Sequence, residues 1–205
     1  MPSSSSVAAV ILAGGHGTRM GGCEKPLLSL QGTPVLSVIL RALQCSLPAS
    51  SIALSTNSPA SLYAAWKLPL LRDDTTDTGP LSGLLAGLKW ARQSGADTLV
   101  TIPGDTPFIP DTLTSDLTPA PAVAISDGRR HHLVASWPVS CVENLQNWLS
   151  DKENKHKRRV RLFADTLDMK EISFSASPYD PFFNINTPDD YATACQIMQS
   201  IKNDF

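Results

Sequence analysis

Three short apolar runs rich in β-branched residues, VAAVI from residue 7, SIALST from residue 51 and DTLVTIPGD from residue 97, alternate with segments of helical spacing. That alternation restricts the fold more than any other feature. A strand, a helix and a second strand close onto one sheet as a right-handed crossover, which predicts a mainly parallel sheet covered on both faces. Residues 34–45 read as a helix with Pro34 in its first turn, where the missing N–H does no harm. A second helix is expected over 59–67, after Ser58, and a third over 80–95, closed by Gly95. LPLLRDD, residues 68–74, reads as a short strand ending in acids.

Beyond residue 117 the pattern loosens. LTPAPAV is a proline-bearing loop, and VAIS and HLVASWPV are strands around the polar turn DGRRHH. The stretch 127–137 is therefore a hairpin or an antiparallel addition to the parallel sheet. SCVENLQNWLS and RVRLFADTL have helical spacing, EISFS is a strand, and TPDDYATACQIMQSIK is a final helix with Thr187 as N-cap and Pro188 in the first turn. No internal repeat and no long linker divides the chain, so the 205 residues are expected to form one domain.

Bulk properties exclude several functions. With 42% hydrophobic and 18% charged residues and no apolar run near a membrane span, the chain reads as a globular protein, expected to be cytoplasmic and free of membrane contact. The N-terminal MPSSSSV has no basic residue, and its apolar stretch ends at Gly14 and Gly15, which argues against a secretory signal. Cys23, Cys45, Cys141 and Cys195 lack any C-x-x-C spacing, so neither a zinc site nor a disulfide framework is expected. A formal charge of −2 offers nothing to a nucleic acid; the basic run KENKHKRRVR at 152–161 suits a solvated face or a small anionic ligand.

Directly after the first strand stands LAGGHGTRMGGCEKPLL, with five glycines between residues 14 and 22. Glycines at the carboxyl end of a strand leave backbone N–H groups uncovered, and Arg19 and Lys25 add charges that suit a polyphosphate. The loop is an anion cradle. It is not a Walker A loop, since Lys25 lies between Glu24 and Pro26, and a dinucleotide fingerprint would put Met20 where its third glycine belongs. Asp105 ends LVTIPGD at the sheet edge where open α/β folds gather ligands; its carboxylate can give one oxygen to an octahedral Mg2+ whose other positions belong to water and phosphate. Asn184 or Asn186 could complete such a site, or the two could simply form a turn.

These segments together resemble a known family. LAGGHGTRMGGCEKPLL, DTGPLSGLLAGL, PGDTPFIPDTL and FFNINTPDDY occur in the order found in the molybdenum cofactor guanylyltransferases, and KRRVRLF is similar to their basic segment. Departures are His16 where a lysine or arginine is frequent, Glu24 for aspartate, and Ser55 for asparagine. The resemblance implies a Rossmann-like three-layer nucleotidyltransferase fold of class α/β, with a nucleotide-binding half over about 7–115 and an acceptor-binding half over about 120–205. It implies transfer of GMP from GTP to molybdenum-bearing molybdopterin, with Mg2+ as cofactor and transient contact with molybdopterin-handling proteins and molybdoenzyme chaperones.

For site residues it implies Arg19, Lys25 and Asp105 in catalysis, with Gly15, Thr18 and Lys25 on the phosphates. Leu12, Ala13 and Gly14 would approach the base, whose N1–H and amine could be met by Asp73 or Asp74 and the Gly79-Pro80-Leu81 backbone. Asn57 would lie near ribose or base, with Ser55 equally placed. RRHH at 129–132 and KHKRRVR at 155–161 supply cations for the pterin, with Arg158, Arg159 and Arg161 the stronger candidates beside Asn184 and Asn186; His131 and His132, adjacent on a strand, would face opposite ways, so at most one meets substrate. Rival readings are CTP as donor, a sugar phosphate as acceptor, a non-catalytic pterin carrier, and an NAD-dependent oxidoreductase.

Overall fold

The computed structural model describes residues 6–14, 24–72, 79–151 and 158–203. In chain order the strands are β1 (Val7–Leu12), β2 (Ser29–Leu30), β3 (Thr33–Pro34), β4 (Ile52–Ser55), β5 (Leu70–Leu71), β6 (Thr98–Pro103), β7 (Ala122–Ser126), β8 (Arg129–Pro138) and β9 (Lys170–Ser173). The α-helices are α1 (Val35–Gln44), α2 (Pro80–Gln93), α3 (Leu113–Asp116), α4 (Val142–Ser150), α5 (Val160–Ala164) and α6 (Pro188–Asn203).

Seven strands form one sheet in the order β5-β4-β1-β6-β8-β7-β9, and β8 alone runs against its neighbours. The expected α/β class with a mainly parallel sheet and an antiparallel addition is what the structure has. Side chains of β1 alternate between the two cores. Ala9 and Ile11 join Leu36, Ile39 and Leu43 of α1 and Ala194 and Met198 of α6 on one face. Ala8 and Val10 join Leu81, Leu84 and Leu88 of α2, Leu145 of α4 and Phe163 of α5 on the other. Three layers result, because each helix has only one apolar stripe to bury.

From β1 the chain moves outward through β4 to β5, then returns across the sheet to β6 on the opposite side of β1. That reversal opens a crevice at the carboxyl ends of β1, β4 and β6, the place where doubly wound sheets take ligands. Backbone bonds hold its floor: Ala13 N–H donates to Ser55 O at 2.8 Å, and Gly104 N–H to Leu12 O at 2.8 Å.

Several boundaries differ from expectation. The turn between β7 and β8 is only Asp127-Gly128, both with positive φ (47° and 70°), so Arg129 to His132 belong to the strand and not to the turn. Thr33 and Pro34 pair with Ser29 and Leu30 as a small ribbon, and α1 starts at Val35. Residues Ala60–Trp66 form a 3-10 helix, ended by Lys67 in the left-handed region. The β2–β3 ribbon and α3 were not anticipated. Thr187 does cap the last helix, accepting the Asp190 N–H at 3.1 Å through Oγ1.

Candidate active site

The short 3-10 turn Lys25–Leu27 aims the Lys25 side chain back over the crevice. Its Nζ donates to Asp105 Oδ2 at 2.9 Å and to Asn186 Oδ1 at 2.7 Å. Asn184 Nδ2 donates to Asp105 Oδ1 at 3.0 Å and to Thr106 Oγ1 at 2.7 Å. Ile185 N–H donates to the Asp105 carbonyl at 3.0 Å, so the asparagine loop is tied to the strand end. Three remote segments thus meet at one carboxylate, and the Lys25 and Asp105 side chains are each only 20% exposed.

Close approach shapes this corner. A Cβ on Gly104 would lie 2.9 Å from Pro26 Cγ and 3.1 Å from the Leu12 carbonyl oxygen, so only glycine lets the lysine turn and β1 sit against β6. The residue before Lys25 is held as firmly. Glu24 accepts hydrogen bonds from Ser58 Oγ and from Tyr63 Oη, the latter at 2.8 Å. Burial first, then the Glu24 carboxylate, pushes the Tyr63 phenol far above its ordinary pKa, so it stays a donor. Glu24 thus ties the lysine turn to Ser58 and Tyr63.

Around this corner lies a cavity of about 520 Å³. Of the residues expected at the site, Leu12, Ala13, Gly14, Lys25, Ser55, Gly79, Pro80, Asp105, Asn184 and Asn186 line it. Leu81 does not; its side chain is fully buried in the core beneath α2. Asn57 is exposed outside the cavity, with its carbonyl 3.4 Å from Arg72 Nη1. Gly15, Thr18, Arg19, Asp73 and Asp74 lie outside the described residues.

Of the two basic segments that the sequence offers, RRHH and KHKRRVR, only the first lines the cavity among the described residues. Arg158 Nη2 donates to the Leu149 carbonyl at 2.8 Å, closing the end of α4, and Arg159 precedes α5 on the surface; neither lines the cavity. Arg129 and Arg130 do, followed by His131, His132, Leu133 and Val134. The register explains why: Ala124 faces His131 but Val123 faces Ala135, so residues 132–134 have no partners on β7 and bulge at the crevice. This irregularity follows from the pairing of two strands, and no local pattern announces it.

The two histidines do diverge. His131 meets Ser126 and Phe182, whereas His132 borders a smaller recess with Asp165 and Asp168. Burial is the main cause that holds both below the ordinary value of 6.5, with Asp180 opposing it for His131 and Asp165 for His132. Their folded-state pKa is therefore lower than the unfolded one, so the stability present above about pH 6.5 is lost as pH falls through the folded values. The urea midpoint is expected to drop between about pH 7.5 and about pH 5.5. A flat midpoint over that interval would contradict this account of the two rings.

For a cation, Asp105 Oδ2 and Asn186 Oδ1 converge on one point, now taken by the Lys25 ammonium. Among the described residues no cluster of three or more His, Cys, Asp or Glu is placed to hold a metal. One carboxylate with an amide oxygen fits an ion that keeps several water and phosphate ligands, and it does not fit an all-protein cage. Among the described residues, too, no helix is long and apolar enough to cross a membrane.

The family model described as the MobA-like NTP transferase domain matches residues 9–167 of this chain. The chain belongs to the MobA-like NTP transferase family. It is accordingly a nucleotidyltransferase, and enzymes of this kind use a divalent metal. A MobA-like relative from Acidiphilium cryptum, named molybdenum cofactor guanylyltransferase, is 43% identical over 194 residues, covering 94% of this chain and 96% of that one. Another of the same name, from Mesorhizobium japonicum, is 39% identical over 209 residues, covering 96% and 98%. The crystal structure of molybdopterin-guanine dinucleotide biosynthesis protein A from Archaeoglobus fulgidus shares the fold with a TM-score of 0.69 at 20% identity, covering 95% of this chain and 99% of that one.

Proposed function

We propose that this MobA-like chain transfers GMP from GTP to the phosphate of a molybdenum-bearing pterin and releases pyrophosphate. A phosphate oxygen of the pterin forms a bond to the α-phosphorus as the bond from that phosphorus to the bridging oxygen of the β-phosphate breaks, and pyrophosphate leaves with the electron pair. Little proton transfer is needed. Catalysis is then charge neutralisation and alignment of two anions.

The observation that carries this reading is the meeting of Lys25, Asp105, Asn184 and Asn186 at the carboxyl end of β6, inside one cavity. On one side of that corner, Leu12, Ala13, Gly14, Gly79 and Pro80 offer backbone and small side chains against which a purine can lie. Across it, Arg129 on β8 offers charge to the acceptor's phosphate, whereas the Arg130 guanidinium is paired with Glu171 and Asp165 outside the cavity. Residues about 7–115 thus serve the nucleotide, and residues about 120–205 the acceptor. Lys25 can swing from Asp105 to the leaving phosphates, joined there by Gly15, Thr18 and Arg19 of the glycine loop. Asp105, helped by Asn186, would then hold Mg2+. When bound, that ion offsets charge on the triphosphate oxygens as it redistributes toward pyrophosphate.

Guanine as the base is supported by the names of the relatives at 43% and 39% identity, which cover nearly the whole chain. The test is a panel of α-labelled nucleotides incubated with molybdopterin and Mg2+. Label from GTP should appear in a pterin dinucleotide, with pyrophosphate released in equal amount. Turnover of CTP without turnover of GTP would defeat the guanylyl reading.

A further inference from the structure

The acceptor side of the cavity contains a hydrogen-bonded chain that phosphoryl transfer does not use. His131 Nε2 lies 2.7 Å from Ser126 Oγ, and Ser126 Oγ lies 2.7 Å from Asp180 Oδ1. Ser126 is 1% exposed, so its hydroxyl has no water to turn to. It has one proton to give, and an ionised carboxylate can only accept, so that proton goes to Asp180. The serine oxygen must then accept from His131. This fixes the imidazole as its Nε2–H tautomer and leaves the lone pair on Nδ1.

The arrangement is rigid at both ends. Asp180 Oδ1 also accepts the Phe182 N–H at 2.9 Å, and the imidazole packs against the Phe182 ring with centroids 4.9 Å apart. Turning the ring over would break the bond to Ser126. Burial, aided by Arg129 and opposed by Asp180 and the Ser126 backbone, keeps the imidazole below its ordinary pKa and therefore neutral at neutral pH. Among the described residues no donor meets Nδ1, while His131 lines the cavity beside the bulge of β8.

We propose that His131 is a specificity-determining residue for the acceptor, its Nδ1 accepting a hydrogen bond from a ring N–H of the pterin. The assignment rests on the acceptor being a pterin, as proposed above. A pterin carries an amide N–H and an exocyclic amine on a flat ring; a sugar phosphate has no such ring donor. Ser126 and Asp180 act through the histidine and are positioning residues.

Nitrogen NMR of the chain labelled at histidine tests the tautomer directly, with Nε2 expected to be protonated and Nδ1 bare in the free enzyme, and Nδ1 shifting when molybdopterin is added. Kinetics test the role. Glutamine keeps a polar group near the Nε2 position only, whereas asparagine keeps an oxygen near Nδ1. His131→Gln should raise KM for molybdopterin about tenfold, the loss of one hydrogen bond, with KM for GTP unchanged. His131→Asn should leave both nearly as in the wild type. A protonated Nδ1 in the free enzyme, or an active His131→Gln variant with unaltered KM for the pterin, overturns the role of His131 alone. A wild-type chain that transfers nothing to molybdopterin overturns the proposed function and the ligand assigned to this nitrogen with it.

Discussion

Replacing Asp105 with asparagine is expected to lower the rate of nucleotidyl transfer at least ~10²-fold, comparable to removing one preorganised electrostatic contact. The substitution keeps the shape of the side chain and removes its charge. Around that carboxylate stand the Lys25 ammonium at 2.9 Å and the Asn184 amide at 3.0 Å, both donors. An asparagine would turn an N–H toward one of them and offer a cation only a neutral oxygen. The fold should lose about 1–3 kcal/mol, since the pair is mostly buried and one donor is left facing an N–H. Steady-state kinetics beside a thermal melt separate the two effects. A variant that keeps more than about a tenth of the wild-type rate would remove Asp105 from the machinery and favour a chain that only carries its ligand.

A large loss of stability without loss of the site is expected from Trp137→Ala. Trp137 is fully buried in β8 opposite Leu99 of β6, and its ring stacks on Phe163 of α5 with centroids 6.1 Å apart. Its Nε1–H donates to Thr101 Oγ1 at 2.9 Å, itself fully buried. Truncation removes the largest side chain of one core face and leaves a cavity, at a cost of about 3–5 kcal/mol. That is about a fifth or more of the roughly 5–15 kcal/mol that stabilises a typical domain. Trp137→Phe keeps most of the bulk and loses the bond to Thr101 with a smaller volume, for about 1–2 kcal/mol. Denaturant unfolding of the pair should show this order. A cost below about 1 kcal/mol for the alanine variant would mean that Trp137 does not hold β8 to the helices.

Much of the fold was legible because its signals are local. β-branched runs, a proline at a first helical turn, Gly95 after α2 and Thr187 before α6 each act within a few residues, and each stands where expected. The turn at Asp127-Gly128 was also local, yet its basic followers were read as loop. Nothing in their polarity distinguishes an exposed turn from the open end of a long strand. The β2–β3 ribbon was missed because two residues per strand leave no period to detect.

The site divides the same way. Position at a strand end singled out Asp105 and the charge beside the glycine loop singled out Lys25, while Asn184 and Asn186 were read as either metal partners or a turn. What no local reading could supply is that Lys25 stands 80 residues from Asp105 and 161 from Asn186 and still touches both. Equally hidden was the choice between two basic segments. Arg158 turns to the carbonyl of Leu149, whereas Arg129, on the open end of β8 beside β7, lines the cavity. The sequence by itself determined the alternating elements, the chemistry available and the family. Strand order and register decided which of those groups share a cavity, because pairing between distant strands depends on the packing of the whole sheet and leaves no periodic trace in either strand alone.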